Sequence, residues 1–301
     1  MFSWILITIF AHFLNAVVMI IDKHLVSNTV LKPAAYTFYS GIFQIFFVLA
    51  IPVIGFVCPE IRHIIFGILI GILFIFTLLI FYKAISLSAA SRVIPVVGGA
   101  VPIFTFFLSY IFLDERLTFW QIIAFTLLVL GGVIMSSKFD NGKVAIIKGL
   151  FLAILAGFLF AVYYTATKFL FLNMPFFEGF ILLQIGGFLG ALILLISADN
   201  RKTIFSTPQT VKKKTAFLFI PNKVIAALAA IMIFYAISIE ESSVAIINSL
   251  QASQYVFLLI LTIFLSKKLP DLYNEQTDKK TIAQKFLAIC LIGLGLILLV
   301  R

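Results

Sequence analysis

Residues 84–117 read AISLSAASRVIPVVGGAVPIFTFFLSYIFLDERL, and 152 positions later residues 236–269 read AISIEESSVAIINSLQASQYVFLLILTIFLSKKL. In this ungapped register Ser91 faces Ser243, Phe112 faces Phe264 and Leu117 faces Leu269. A second register, offset by 145, pairs Ala11, Ala16, Val17, Lys23 and Leu25 with Ala156, Ala161, Val162, Lys168 and Leu170. Two registers in the same order along the chain point to an internal duplication. In a hydrophobic bundle this matters mechanistically, because a site between the halves can open alternately to either side of a bilayer.

Composition fixes the class. Of 301 residues 63% are hydrophobic and 11% are charged, and the mean hydropathy is +1.19, which excludes a soluble globular chain. A helix needs roughly 20 apolar residues to cross the ~30 Å hydrocarbon core. Ten segments fit, at about 3–21, 35–57, 64–87, 92–113, 119–136, 147–172, 178–197, 216–239, 243–265 and 283–300. Their apolar runs are continuous rather than alternating, unlike those of a β-barrel. Met1-Phe2-Ser3 leads into the first run without a basic leader or a small-residue cleavage site, so this run is expected to be a retained helix. The net charge is +10, but the basic residues sit mainly in short connections, where insertion topology accounts for them. No nucleic-acid partner is expected; the lipid bilayer is.

The polar run Ser136 to Lys143, with its Asn141-Gly142 turn signal, divides the chain. The expected organisation is a first five-helix unit at 1–137, a linker at 138–147 and a second five-helix unit at 148–301. An odd helix count makes the second copy enter the membrane from the opposite side. The predicted fold is therefore an all-α integral membrane protein, ten transmembrane helices arranged as two inverted five-helix repeats. Longer polar insertions, Ser197 to Asn222 and Ser266 to Lys285, both fall in the second half.

Tyr82, Ala84, the small run Ser88-Ala89-Ala90-Ser91, Pro102, the LDERL segment with Glu115, and Gly131-Gly132 before Val133 resemble the EamA-type branch of the drug/metabolite transporter superfamily. The resemblance extends over both halves. It implies a 5+5 carrier for small organic metabolites, with a central cavity lined from both halves. The second half departs from the pattern, with Gln254 in place of Pro102 and Lys267 in place of Glu115.

Candidate solute-binding residues follow from the cost of polar groups and irregular backbone in lipid. In the fourth segment Pro95 and Pro102 remove amide donors and Gly98-Gly99 removes side chains between them, which predicts a kinked, flexible stretch. Close helix packing is the alternative reading. In the ninth segment Asn248, Gln251 and Tyr255 recur at intervals of three and four and share a face. They line a solute path or form interhelical hydrogen bonds. His12 and Asn15 form a similar pair in the first segment, and Tyr82, Tyr164 and Tyr235 are aromatic candidates. Lys83 near the end of the third segment either snorkels to the headgroups or points inward, and Lys168 is expected to snorkel.

All twelve acidic residues fall in connections or near segment ends, so no intramembrane carboxylate relay is evident. There is no phosphate-cradling loop. The histidines are His12, His24 and His63, and neither they nor Cys58 and Cys290 have metal-ligand spacing. No cofactor or metal is expected, and a membrane enzyme acting on a lipid-linked substrate lacks the clustered His, Asp or Glu it would need. The expected function is a secondary carrier in the plasma membrane that moves a small organic solute, amino-acid-like or related, in the export direction, as a monomer or homodimer. A lipid or lipid-linked-sugar translocator is the alternative.

Odd-numbered connections carry most of the lysines and arginines, whereas the even ones and the C-terminus have Arg62, Arg116, Lys168 and Arg301. Positive-inside counting puts odd connections in the cytoplasm and both termini outside. Labelling single cysteines with an impermeant reagent is expected to find Asn141 inside and the C-terminus outside. Termini on opposite sides of the membrane would reject the ten-helix count.

Overall fold

Hydrocarbon offers no partner to a backbone N–H or C=O, so long apolar runs must satisfy their own backbone as helices. A computed structural model describes residues 2–26, 32–49, 51, 55–88, 90–136, 147–206, 213–266 and 279–299. Its main elements are α1 (Phe2–Val26), α2 (Pro33–Ile42), α3 (Ile45–Val48), α4 (Ile61–Leu87), α5 (Ala90–Phe112), α6 (Phe119–Ser136), α7 (Ile147–Leu172), α8 (Phe176–Leu194), α9 (Ala198–Ser206), α10 (Lys213–Ser238), α11 (Val244–Ser249), α12 (Gln251–Ser266) and α13 (Lys279–Leu299). Among the described residues, eight helical stretches are long and apolar enough to cross a membrane, α11 and α12 together making one, and Phe119–Met135 in α6 is a shorter apolar helix. This is a multi-pass all-helical membrane protein.

The second apolar segment departs from the expectation of one continuous helix at 35–57. It breaks at Phe43 and Gln44, where α2 gives way to the single turn α3. The Gln44 amide fills the space over Gly187 of α8 that a Cβ would otherwise take. The predicted linker lies outside the described residues except for Ile147, where α7 begins, and so do residues 207–212 and 267–278 of the two longer insertions.

Packing follows a regular scheme. α4 lies on α7 and α8, α1 on α10 and α12, α5 on α7, α11 and α6, α6 on α13, and α2 on α8. With the apolar segments numbered one to ten, the pairs three–six and four–six become eight–one and nine–one when the halves are exchanged. The pairs two–seven, four–nine and five–ten map onto themselves, whereas three–seven has no counterpart of similar extent between eight and two among the described residues. Segments seven and nine are the most enclosed, each 61% buried within its apolar window against at most 39% for the others. Outside, Leu6, Phe10, Ile65, Leu69, Phe151 and Ile154 stay exposed, as lipid-facing side chains do.

Small residues set the closest backbone approach. A Cβ on Gly71 of α4 would meet the Leu183 carbonyl and stand 2.7 Å from the Gly186 Cα, and one on Gly186 would meet the Ile68 carbonyl. Gly71 and Gly186 thus face each other across α4 and α8, where the obstructing atoms are backbone and cannot rotate away, while their GxxxG-spaced partners Gly67 and Gly190 lie mainly against the side chains of Leu182 and Ile75. Gly71→Leu is expected to destabilise the protein by about 1–3 kcal/mol or more, read as a lower melting temperature in detergent. An unchanged melting temperature would reject this contact.

Candidate functional site

The fourth and ninth segments meet face to face, but the irregular backbone is not where proline content predicts it. α5 is helical without interruption through Pro95, Gly98, Gly99 and Pro102. The ninth segment contains no proline and is the one that breaks, at Leu250 between α11 and α12. Serines provide the physical reason. The Ser249 hydroxyl donates to the Ile246 carbonyl (2.8 Å), the Ser253 hydroxyl donates to the Leu250 carbonyl (2.7 Å), and the Ser253 N–H also turns to Leu250 at 2.9 Å. Hydroxyls that compete for helix carbonyls bend or interrupt the ladder. In the repeat register Leu250 corresponds to Gly98, so the break falls opposite the glycine pair.

Around this break, buried polar side chains pair across the bundle. The Asn248 amide donates to the Thr105 hydroxyl of α5 (3.1 Å), and Thr105 in turn donates to the Val101 carbonyl (2.7 Å). The Tyr255 hydroxyl lies 3.1 Å from where a Cβ on Gly98 would stand, so a larger residue there would press on it. His12 of α1 donates through Nδ1 to the Gln254 carbonyl oxygen (3.3 Å), and the Gln254 amide nitrogen lies 2.9 Å from the Met19 sulfur. The His12 ring rests against the Ile247 backbone, while its Nε2 is buried without a hydrogen-bond partner. Three segments, one, four and nine, thereby converge on one polar seam.

Of the residues singled out in sequence, the structure brings together His12, Gly98, Asn248 and Tyr255. Pro95, Gly99 and Pro102 are buried along α5, with Gly99 turned toward Val133 of α6. Gln251 and Asn15 are half-buried, and the partner of His12 is Gln254 rather than Asn15. Tyr82 packs edge-on against Tyr36 (4.7 Å), and Tyr164 stacks with Phe160 (6.4 Å). Tyr235 is exposed with its ring against Phe176 (5.6 Å), and Lys83 is exposed. These last four lie on other contacts than the seam. Gln254 and Thr105 were not among the predicted residues. Gln254 follows Gln251 by three positions, which is the spacing that would have added it to the stripe.

Lys168 overturns the snorkelling expectation. It is 1% exposed, and its ammonium donates to the carbonyls of Ile239 and Glu240 (the latter at 3.3 Å) and to the Ser242 hydroxyl (3.1 Å). A buried ammonium needs such partners to offset its lost hydration, and the carbonyls just past the end of α10 supply them. Beside it, Glu115 accepts from the Ser243 hydroxyl (2.9 Å) and the Val244 N–H (3.3 Å). Burial raises the Glu115 carboxyl above its ordinary value against the opposing effects of these donors and of the Lys168 charge.

The structure is thus a multi-pass helical bundle with a broken inner helix and a polar seam around the break. Residues 2–137 match the model of the EamA-like transporter family, so the first half of the chain is similar to an EamA-like unit. A solved structure described only as the crystal structure of a protein is similar over 98% of this chain and 96% of its own, with a TM-score of 0.69 and 16% identity, a likeness of fold. No curated protein matches the chain in sequence.

The Asn248–Thr105 bond can be isolated by a double-mutant cycle. Asn248→Ala and Thr105→Ala are each expected to lower stability, with a coupling of about 0.5–1.5 kcal/mol between them, measured by reversible unfolding in mixed micelles. Strict additivity would mean that the bond contributes nothing.

Proposed function

We propose that the protein is a secondary carrier that moves a small organic metabolite, an amino-acid-like or related solute, across the cell membrane by alternating access, in the direction of export. Its two halves, 1–137 and 148–301, act as inverted five-helix repeats joined by 138–147, with the broken second segment and the short fifth counted among ten crossings. The family match over 2–137 supports this division, as do the helix pairs that interchange when the halves are exchanged, although the three–seven contact has no counterpart of similar extent between eight and two among the described residues.

The observation that carries the reading is the seam where segments one and four meet the break in nine. Discontinuous helices near the membrane midplane free backbone groups for a solute, and here the break is flanked by Asn248 and Gln251. The solute sits against this stretch. Gln251 is half-buried and its amide offers both a donor and an acceptor, while the unpartnered Nε2 of His12 is an acceptor for a solute N–H or O–H. Tyr255 and the helix around Gly98 bound the same region. A few convergent polar groups in an otherwise apolar wall fix the orientation of a small organic molecule.

A solute library screened by thermal stabilisation of the purified protein identifies the ligand, since preferential binding to the native state raises its stability. With that ligand, Gln251→Ala is expected to weaken binding roughly 5- to 150-fold, the equivalent of losing one buried hydrogen bond. The melting temperature of the ligand-free protein should stay unchanged. Wild-type affinity in both Gln251→Ala and His12→Ala, each correctly folded, rejects the placement.

A further inference from the structure

The turn that ends α5 carries a carboxyl from one half of the chain to the other. Asp114 adopts the left-handed conformation (φ 53°), which short polar side chains tolerate best after glycine. Its carboxylate holds Arg116 (2.6 Å), whose guanidinium covers the Tyr110 ring at 3.8 Å. The chain reverses as the Glu115 N–H returns to the Ser109 carbonyl (3.2 Å), and the α6 helix restarts at once from a capping box in which the Thr118 N–H donates to Gln121 (2.8 Å). Glu115 is left pointing at residues 243 and 244. That short connection is held from its other side by Lys168, so it is clamped between the end of α5 and α7. The connections four–five and eight–nine and the end of segment six nearest connection six–seven lie on one membrane face in an alternating topology, so the clamp closes a single face.

We propose that Glu115 is a proton-binding latch, which holds this face of the carrier shut and carries a proton in the shut state that it releases when the face opens. The proposal rests on the carrier reading above but not on where the solute sits. Chemically, a protonated Glu115 keeps both contacts, its O–H donating to the Ser243 oxygen while the other oxygen still accepts from Val244. Opening separates the carboxyl from α11 and returns it to water. Because burial in the clamp lifts its affinity for protons above that of an ordinary carboxyl, with a reference value of 4.5, closure takes up a proton. Acidification therefore favours the shut face, and raising the pH through the window above 4.5 favours opening. The surrounding charges are accounted for. Lys168 faces Glu115 from α7, Glu240 on the connection lies by Lys168, Asp114 and Arg116 pair with each other, and α11 offers no titratable side chain.

The test uses the full chain without any solute. In a Cys58→Ser/Cys290→Ser background, a single cysteine replaces Ala245, which is fully buried in the first turn of α11. Its maleimide labelling rate is divided by that of the same cysteine in the unfolded chain, which cancels thiol ionisation. With Glu115 in place, normalised labelling should accelerate as the pH is raised above 4.5, by up to roughly tenfold per pH unit within the titration. Glu115→Gln, which reproduces the protonated hydrogen bonds, should be slow and flat with pH, and Glu115→Ala roughly 5- to 150-fold faster and flat. Should Ala245→Cys misfold, amide hydrogen exchange across 244–250, corrected for its intrinsic pH dependence, gives the same comparison. A shared pH profile in wild type and Glu115→Gln removes the proton from the proposal, and wild-type rates in Glu115→Ala remove the latch. Labelling is read without solute, so a misplaced solute site and a failed latch give separate results.

Discussion

Lipid cannot hydrogen-bond, and this decides where the protein can be irregular. Apolar runs resolve the constraint within themselves as helices. A buried asparagine, histidine or lysine cannot, and must find its partner on another segment. The bonds His12–Gln254, Asn248–Thr105 and Lys168–Ser242 are such solutions, each joining segments that the chain itself keeps far apart. Together they bring segments one, four and six against the ninth segment and its approach. One of the two most enclosed spans thereby also carries the polar seam.

The two halves share part of one packing scheme and differ in chemistry. α5 carries the prolines and glycines yet stays helical, whereas its counterpart lacks proline and breaks at Leu250. A proline removes one donor, and neighbouring groups can compensate without ending the helix. Clustered serines do more, because each hydroxyl draws a carbonyl out of the ladder. Division of labour follows from this. One half supplies a regular helix with room beside Gly98, and the other supplies the break and the amides that face it.

At one end of the same ninth segment, the turn from Leu113 to Leu117 shows how a local motif acquires a long-range role. Asp114, Arg116 and the Thr118–Gln121 capping box shape the turn locally. Glu115 is the member that reaches away, to the start of α11. The contacts at this connection are a few polar ones, whereas the α4–α8 pair is held by backbone packing at Gly71 and Gly186.

The amino-acid sequence alone determined the environment and the elements. Sixty-three per cent hydrophobic residues in long continuous runs leave a helical membrane protein as the outcome, and the registers at 84–117 and 236–269 expose the relatedness of segments four and nine. The stripe of Asn248 and Tyr255 was legible because helical periodicity is local. Tertiary structure decided which partners those groups take. Lys168 reads as a snorkelling residue because its position near a helix end is visible in sequence, while the carbonyls of residues 239 and 240 that capture it are not. His12 shares a helix face with Asn15 three positions on, and its ring nitrogen bonds a residue 242 positions away. Spacing along one helix gives a face, but only the packing of other helices against that face supplies the donor or acceptor that a buried polar group requires.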